Sequence, residues 1–144
     1  MTAPIAGPSD LRAAIAAKEA AETSGDLDAI LAAFCAEPVF EFRPVGRRLA
    51  GVEPVRRFYR QMLSDFVPRV VNYRAVRVFW NDSGMAMEEE ITIAFDEGPP
   101  KSYQFVVTTG LSDGRLSGET LYGDERFFRL LLGDLFDQAE QFGD

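Results

Sequence analysis

The stretch Met85-Ala86-Met87-Glu88-Glu89-Glu90-Ile91-Thr92-Ile93-Ala94-Phe95 decides the fold class. Side chains alternate faces along a strand. One face of this run holds Met85, Met87, Glu89, Ile91, Ile93 and Phe95; the other holds Ala86, Glu88, Glu90, Thr92 and Ala94. The first face is apolar except for Glu89. A carboxylate there must be paired, protonated or placed at the wet rim of a cavity. Just before the run, Asn81-Asp82-Ser83-Gly84 is a hairpin turn, and Tyr73 to Trp80 is its partner strand. After it, Asp96 to Pro100 is a loop and Tyr103 to Leu111 a third strand, with Tyr103, Phe105, Val107, Thr109 and Leu111 on one face. Ser112-Asp113-Gly114 turns the chain into a fourth strand, Leu116 to Tyr122. There the parity reads two ways: either Glu119 and Leu121 face inward, or Leu116, Gly118, Thr120 and Tyr122 do.

The first half reads as helices. After a tail over residues 1–8, Ser9 or Asp10 caps a helix with Leu11, Ala14, Ile15, Lys18 and Glu22 on one face. Ser24-Gly25 ends it, and Asp26 caps a second helix with Leu27, Ile30, Leu31 and Phe34 apolar. Pro38 stops that helix, Val39 to Arg43 is a short strand, and Pro44-Val45-Gly46 turns it. Gly51 precedes a third helix, with Pro54 in its first turn and Val55, Phe58, Tyr59 and Met62 spaced for burial. A last amphipathic helix is expected over 124–142, with Phe127, Phe128, Leu131, Leu132, Leu135 and Phe136 apolar. Helices first and a strand meander later is the α+β pattern. A curved antiparallel sheet over three N-terminal helices leaves a cone-shaped interior suited to a small apolar ligand.

At 144 residues the chain reads as one domain, long enough to bury roughly 70% of its unfolded surface. The net charge of −8 argues against nucleic acid and anionic membrane surfaces. No apolar run approaches the roughly 20 residues of a membrane span, and a cytoplasmic domain is expected. One cysteine, Cys35, forms no internal disulfide and reads as a small buried hydrophobe. Histidine is absent, which removes Ser–His–Asp and Cys–His chemistry, imidazole–zinc sites and a histidine base. Alternation separates Glu89 from Glu88 and Glu90, so the triplet is not a metal site. No metal and no cofactor are expected.

Two groups of motifs carry a resemblance. The first is Gly25-Asp26-Leu27-Asp28-Ala29 between helices, then Pro38, Pro44-Val45-Gly46, Gly51 and Arg57-Phe58-Tyr59. The second is Ser112-Asp113-Gly114-Arg115-Leu116 followed by Glu119-Thr120-Leu121-Tyr122-Gly123-Asp124. In order and spacing, over about Leu11 to Asp124, the chain resembles the nuclear-transport-factor-2-like superfamily, in its SnoaL-like and ketosteroid-isomerase-like branch. The resemblance implies a cystatin-like α+β roll, often a homodimer, with a deep pocket for steroids, polyketides or similar molecules. The isomerase's base lies before the Pro-x-Gly turn, where this chain has Arg43, which stays charged. Its oxyanion acid, kept neutral by an apolar site, falls on Val107. Its first-helix tyrosine falls near Lys18, and only Tyr59 is retained. The aspartate–histidine pair of SnoaL-type cyclases is missing too. Limonene-type epoxide hydrolysis needs an Asp–Arg–Asp set, of which only Arg43 is an obvious candidate member.

The polar constellation expected in the cone is therefore Arg43, Glu89, Glu119, Tyr59 and Lys18. One reading makes Arg43 and Glu89 a structural ion pair. The other makes Glu89 or Glu119 a general base tuned by burial, with Tyr59 donating to a developing oxyanion. Lys18 more readily snorkels from its helix than enters the cavity. Phe58, Ile91, Ile93 and Phe95 are expected to line the ligand site, together with Tyr103, Phe105, Val107 and Leu121. The terminal helix covers the cone mouth, packs on its own domain or packs across a dimer. The function expected is binding of a small apolar molecule, with proton-transfer chemistry on a ring compound. The alternative is a non-catalytic binding or dimerisation module of the same fold.

Overall fold

The computed structural model describes residues 8–143. Two helices open the chain, α1 over Pro8–Ser24 and α2 over Leu27–Ala32, the latter capped by the Asp26 carboxylate on the Ala29 amide. Strand β1 runs over Phe34–Arg43 and turns into β2, Arg47–Ala50. Helix α3 spans Val52–Gln61, continues as a π-helical turn over Met62–Phe66 and ends in a short 3-10 turn over Val67–Arg69. Four long strands follow: β3 over Val70–Trp80, β4 over Gly84–Ile93, β5 over Lys101–Ser112 and β6 over Arg115–Tyr122. The chain closes with α4, Glu125–Leu132, α5, Leu135–Gln138, and a two-residue strand β7, Glu140–Gln141. The seven strands form one open, curved sheet in the order β3-β4-β5-β6-β1-β2-β7. Only the β1–β6 pair is parallel.

Two expectations need correction, and one strand, β2, was not expected. The second helix stops before Phe34, and β1 begins there rather than at Val39. The Ala33 carbonyl is already taken by the Leu116 amide of β6, so the strand ladder captures the chain. Pro38, which cannot donate to a ladder, sits inside β1 where its register against β6 shifts between Phe34 and Val39. Strand β2 has one buried residue, Leu49, too little alternation to be read from sequence. The terminal helix is broken: Gly133, at φ +54, caps α4, and the chain turns through α5 into β7 on the edge of β2.

Parity along β1 builds the core. Phe40 and Phe42 point inward and are fully buried, packed edge-on against Phe58, Tyr59 and Phe128. The apolar residues of α4 and α5, including Phe127, Phe128, Leu132 and Phe136, are buried within this one chain. The terminal segment thus packs on its own domain, and Phe127 stacks on Phe105 at 4.6 Å.

Candidate functional site

Between the concave sheet and the helices lies a cavity of about 530 Å³, within the range of small-molecule sites. Strand β4 lines it with Met85, Met87, Glu89 and Ile91, β5 with Phe105, Val107 and Thr109, and β6 with Glu119 and Leu121. Helix α1 adds Ile15, Lys18, Glu19 and Glu22; α3 adds Phe58 and Tyr59; α4 adds Phe127 and Leu131. The π-helical turn contributes Met62 and Phe66, and β3 contributes Tyr73 and Ala75.

Two β-bulges decide which polar groups enter. On β3, Trp80 pairs with Met85 and Arg77 with Glu88, but beyond the bulge at Val76 the pairing shifts by one. Tyr73 therefore faces Ile91 instead of Thr92 and joins the inner face. On β6, Leu116 pairs with Leu111 while Leu121 pairs with Val107, so an extra residue sits between them. Gly118 occupies that bulge at φ +129, and its carbonyl accepts from Thr109 Oγ1 at 2.6 Å. The two parities of this strand both hold in part. Leu116 is inward on one side of the bulge, Glu119 and Leu121 on the other.

Glu89 is buried, at 8% exposure, and its Oε1 accepts from the Tyr73 hydroxyl. Among the described residues no cation lies within ion-pair distance of it. Burial pushes the Glu89 carboxyl up to about 7; the Tyr73 hydrogen bond opposes the shift, and Glu119 adds to it. Burial and the Glu89 contact raise the Tyr73 hydroxyl in turn.

A second polar group stands on the α1 side. Lys18 Nζ lies 2.8 Å from Glu119 Oε1 and 3.2 Å from Glu22 Oε1, and the Tyr59 hydroxyl donates to Glu22 Oε1 at 3.5 Å. Burial works against the Lys18 charge, but Glu119, Tyr59 and Glu22 together hold its pKa well above the ordinary lysine range. Burial raises the Glu22 carboxyl against the pull of Lys18. Burial, then Glu119, raises Tyr59 well above the usual phenol. Removing one partner of a buried charge group leaves the others uncompensated, at about 3–5 kcal/mol. Lys18→Ala should thus lower the urea-unfolding free energy at pH 7 by about 3 kcal/mol. A change below about 0.5 kcal/mol, the range of ordinary surface substitutions, would show the network to be solvated.

Of the residues expected from sequence, Glu89, Glu119, Tyr59, Phe58, Ile91, Phe105, Val107 and Leu121 line the cavity. Four do not. Arg43 shares the outer parity with Glu41; its side chain is 45% exposed, 3.3 Å from Glu41 Oε2 and stacked over the Phe142 ring. No Arg43–Glu89 ion pair exists. Ile93 is fully buried beyond the cavity's end. Phe95 lies past β4 beneath the Lys101 ammonium, and Tyr103 packs on Phe127. Lys18, expected to reach solvent, turns inward because Glu119 and Glu22 receive it. Tyr73 and Glu22 were not identified from sequence; the helical spacing from Lys18 to Glu22 was a usable signal, whereas the β3 bulge was not. Glu88 and Glu90 stay on the outer face, paired with Arg77 and Arg74. Among the described residues no three acidic or cysteine side chains gather as metal ligands.

No protein-family model and no curated protein match the sequence. Solved structures do match in shape. An LEH-like epoxide hydrolase from M. tuberculosis superposes with a TM-score of 0.62 at 21% identity, covering 92% of this chain and 91% of that one. A nuclear-transport-factor-2-like protein of unknown function from Cytophaga hutchinsonii gives 0.63 at 17% identity, covering 78% and 97%. Another, from Burkholderia xenovorans, gives 0.59 at 18% identity, covering 94% and 97%. With the helices, the curved open sheet and the cavity between them, these likenesses show that the chain has the nuclear-transport-factor-2-like fold.

Proposed function

We propose that the chain is an enzyme that moves a proton on a small, apolar, steroid- or polyketide-like ring compound, with Glu89 as the proton carrier. The observation that carries this reading is the position of Glu89. It is a buried carboxyl on the otherwise apolar inner face of β4, without a cation partner among the described residues and titrating near 7. A base poised near the working pH is the useful kind, because it is both available and able to release its proton. Glu119 is held by Lys18 and is the weaker candidate base. Tyr59 and Lys18 are the donors on the α1–α3 wall for an oxyanion that forms as the proton leaves carbon. Among the described residues the cavity wall holds no aspartate and no arginine, so the Asp–Arg–Asp set of a limonene-type epoxide hydrolase finds no counterpart among them.

The test is deuterium exchange at the carbon next to the carbonyl of cyclic ketones such as decalone and tetralone, followed by proton NMR. Exchange should exceed the buffer rate and rise with pH through about 7 as Glu89 ionises. A tightly bound ketone exchanging only at the buffer rate would leave a binding protein without chemistry.

A second copy of the chain is the partner we propose for strand β3. Every residue from Val71 to Phe79 is exposed, with Phe79 at 59%, and a long apolar edge invites pairing. Sedimentation equilibrium at micromolar concentration should give twice the mass of one chain; a single-chain mass throughout would remove this partner. No helix among the described residues is long and apolar enough to cross a membrane. The lone free cysteine, Cys35, suits a reducing compartment such as the cytoplasm.

A further inference from the structure

We infer that the cavity is built for a cationic ligand, an apolar molecule carrying a protonated amine. This rests on the reading above that a small apolar molecule occupies the cavity, and it names the charge that molecule bears. Four carboxylates line the described wall, Glu19, Glu22, Glu89 and Glu119, against one cation, Lys18, and no arginine. Lys18 is already shared between Glu119 and Glu22. Glu89 has only the neutral Tyr73 hydroxyl, and Glu19 stands exposed on the same side of α1. The remaining wall is apolar, with Phe58, Phe105, Leu121 and Phe127 as its largest surfaces. Such a cavity holds more negative charge than its own residues neutralise.

Burial pushes both Glu22 and Glu89 towards the protonated form, and neighbouring carboxylates add to it: Glu119 and Glu19 act on Glu22, and Glu119 and Glu22 act on Glu89. The groups facing Glu89 are Tyr73 from β3, Glu119 from β6, and Lys18 and Glu22 from α1. Glu19 acts on Tyr73 and Glu22 from the same helix. An ammonium seated where α1 faces β3 and β4 would relieve this repulsion and let the carboxylates ionise. A ligand carboxylate or phosphate would add to it. The protein's net charge of −8 steers the same way at long range. The substrate of the proposed proton transfer is then a ring ketone bearing a basic nitrogen.

Three compounds of one shape separate the possibilities: adamantane carrying a methylamine, a hydroxymethyl or a carboxylate group. Their binding to the full chain is measured by calorimetry at pH 8 and low salt. The amine should bind about tenfold tighter than the alcohol or better, since a partly buried ion pair readily supplies that factor, and the carboxylate weakest. The amine's advantage should shrink at pH 5.5, where Glu89 is protonated. It should also shrink in the Glu19→Gln/Glu22→Gln double variant, whose circular dichroism and cooperative urea unfolding report that it is folded. If that variant does not fold, the wild-type series and its pH dependence decide. An alcohol that binds as well as the amine at pH 8 overturns the cationic ligand and leaves the apolar-ligand reading standing. Failure of all three compounds to bind overturns both.

Discussion

Glu89→Gln should slow ketone exchange by about 10²–10⁴-fold, the usual contribution of a positioned proton carrier. The same substitution should make the protein more stable at pH 8. Glutamine keeps the side-chain shape and still accepts the Tyr73 hydroxyl, but it has no charge to desolvate. The folded-state pKa of Glu89, about 7, lies above the ordinary glutamate value of 4.5. The native state therefore holds this proton more tightly than the unfolded chain does. Its stabilising contribution is full below about pH 4.5 and is lost as pH rises through about 7. Above that, the wild type carries a buried charge, a difference on the order of 3 kcal/mol between the two ends of the window. The variant escapes it, so melting temperatures of the two proteins should lie closer at pH 5 and diverge in the variant's favour at pH 8. A variant that keeps its activity would remove Glu89 from the chemistry. One that melts lower at pH 8 would show the carboxylate to be stabilising when ionised.

Gly118→Ala should have the largest effect on folding of any single methyl addition. The residue sits at φ +129, a conformation that side chains avoid, and its Cβ would overlap the carbonyl oxygen of Val39 and lie 2.7 Å from that residue's backbone carbon and nitrogen. Val39 belongs to β1, the parallel partner of β6, so the clash pushes apart the strands on which the whole sheet turns. The expected loss is about 4 kcal/mol or more, in the range of the most damaging single substitutions, read as urea unfolding or as failure to fold. Gly25→Ala is the control: at φ +74 with nothing within 4 Å of the added carbon, it should cost only about 1 kcal/mol. Equal losses at the two positions would contradict the close approach at the bulge.

The bulges also mark where sequence reading fails. Alternation over residues 85–95 located Glu89 on the inner face, because β4 has ten residues in unbroken register with β5. Alternation also held the answer for Arg43, since Phe40 and Phe42 are buried and leave Glu41 and Arg43 outside. Giving Arg43 an inward role ignored that parity. Tyr73 could not be found the same way: counting back from the Asn81–Gly84 turn places it opposite Thr92, on the outer face, and only the extra residue at Val76 reverses this. Lys18 is a case of tertiary contacts overriding local preference. On an isolated helix it would extend to solvent, but Glu119, 101 residues away in sequence, draws it inside. The terminal helix was legible as an apolar face but not as a broken one. A glycine at position 133 alone does not say whether the chain continues as helix or, as here, turns through α5 to add a strand to β2.

The proposed chemistry and the proposed ligand charge both require that Glu89 be a carboxyl removed from water inside a hollow. Carbon-13 NMR of the glutamate side-chain carboxyls, assigned by comparison with Glu89→Gln and titrated from pH 3 to 9, measures this directly. A midpoint for Glu89 near 7 is the expected result. A midpoint near 4.5, the ordinary glutamate value, would mean that water fills the cavity around it and would contradict the central claim.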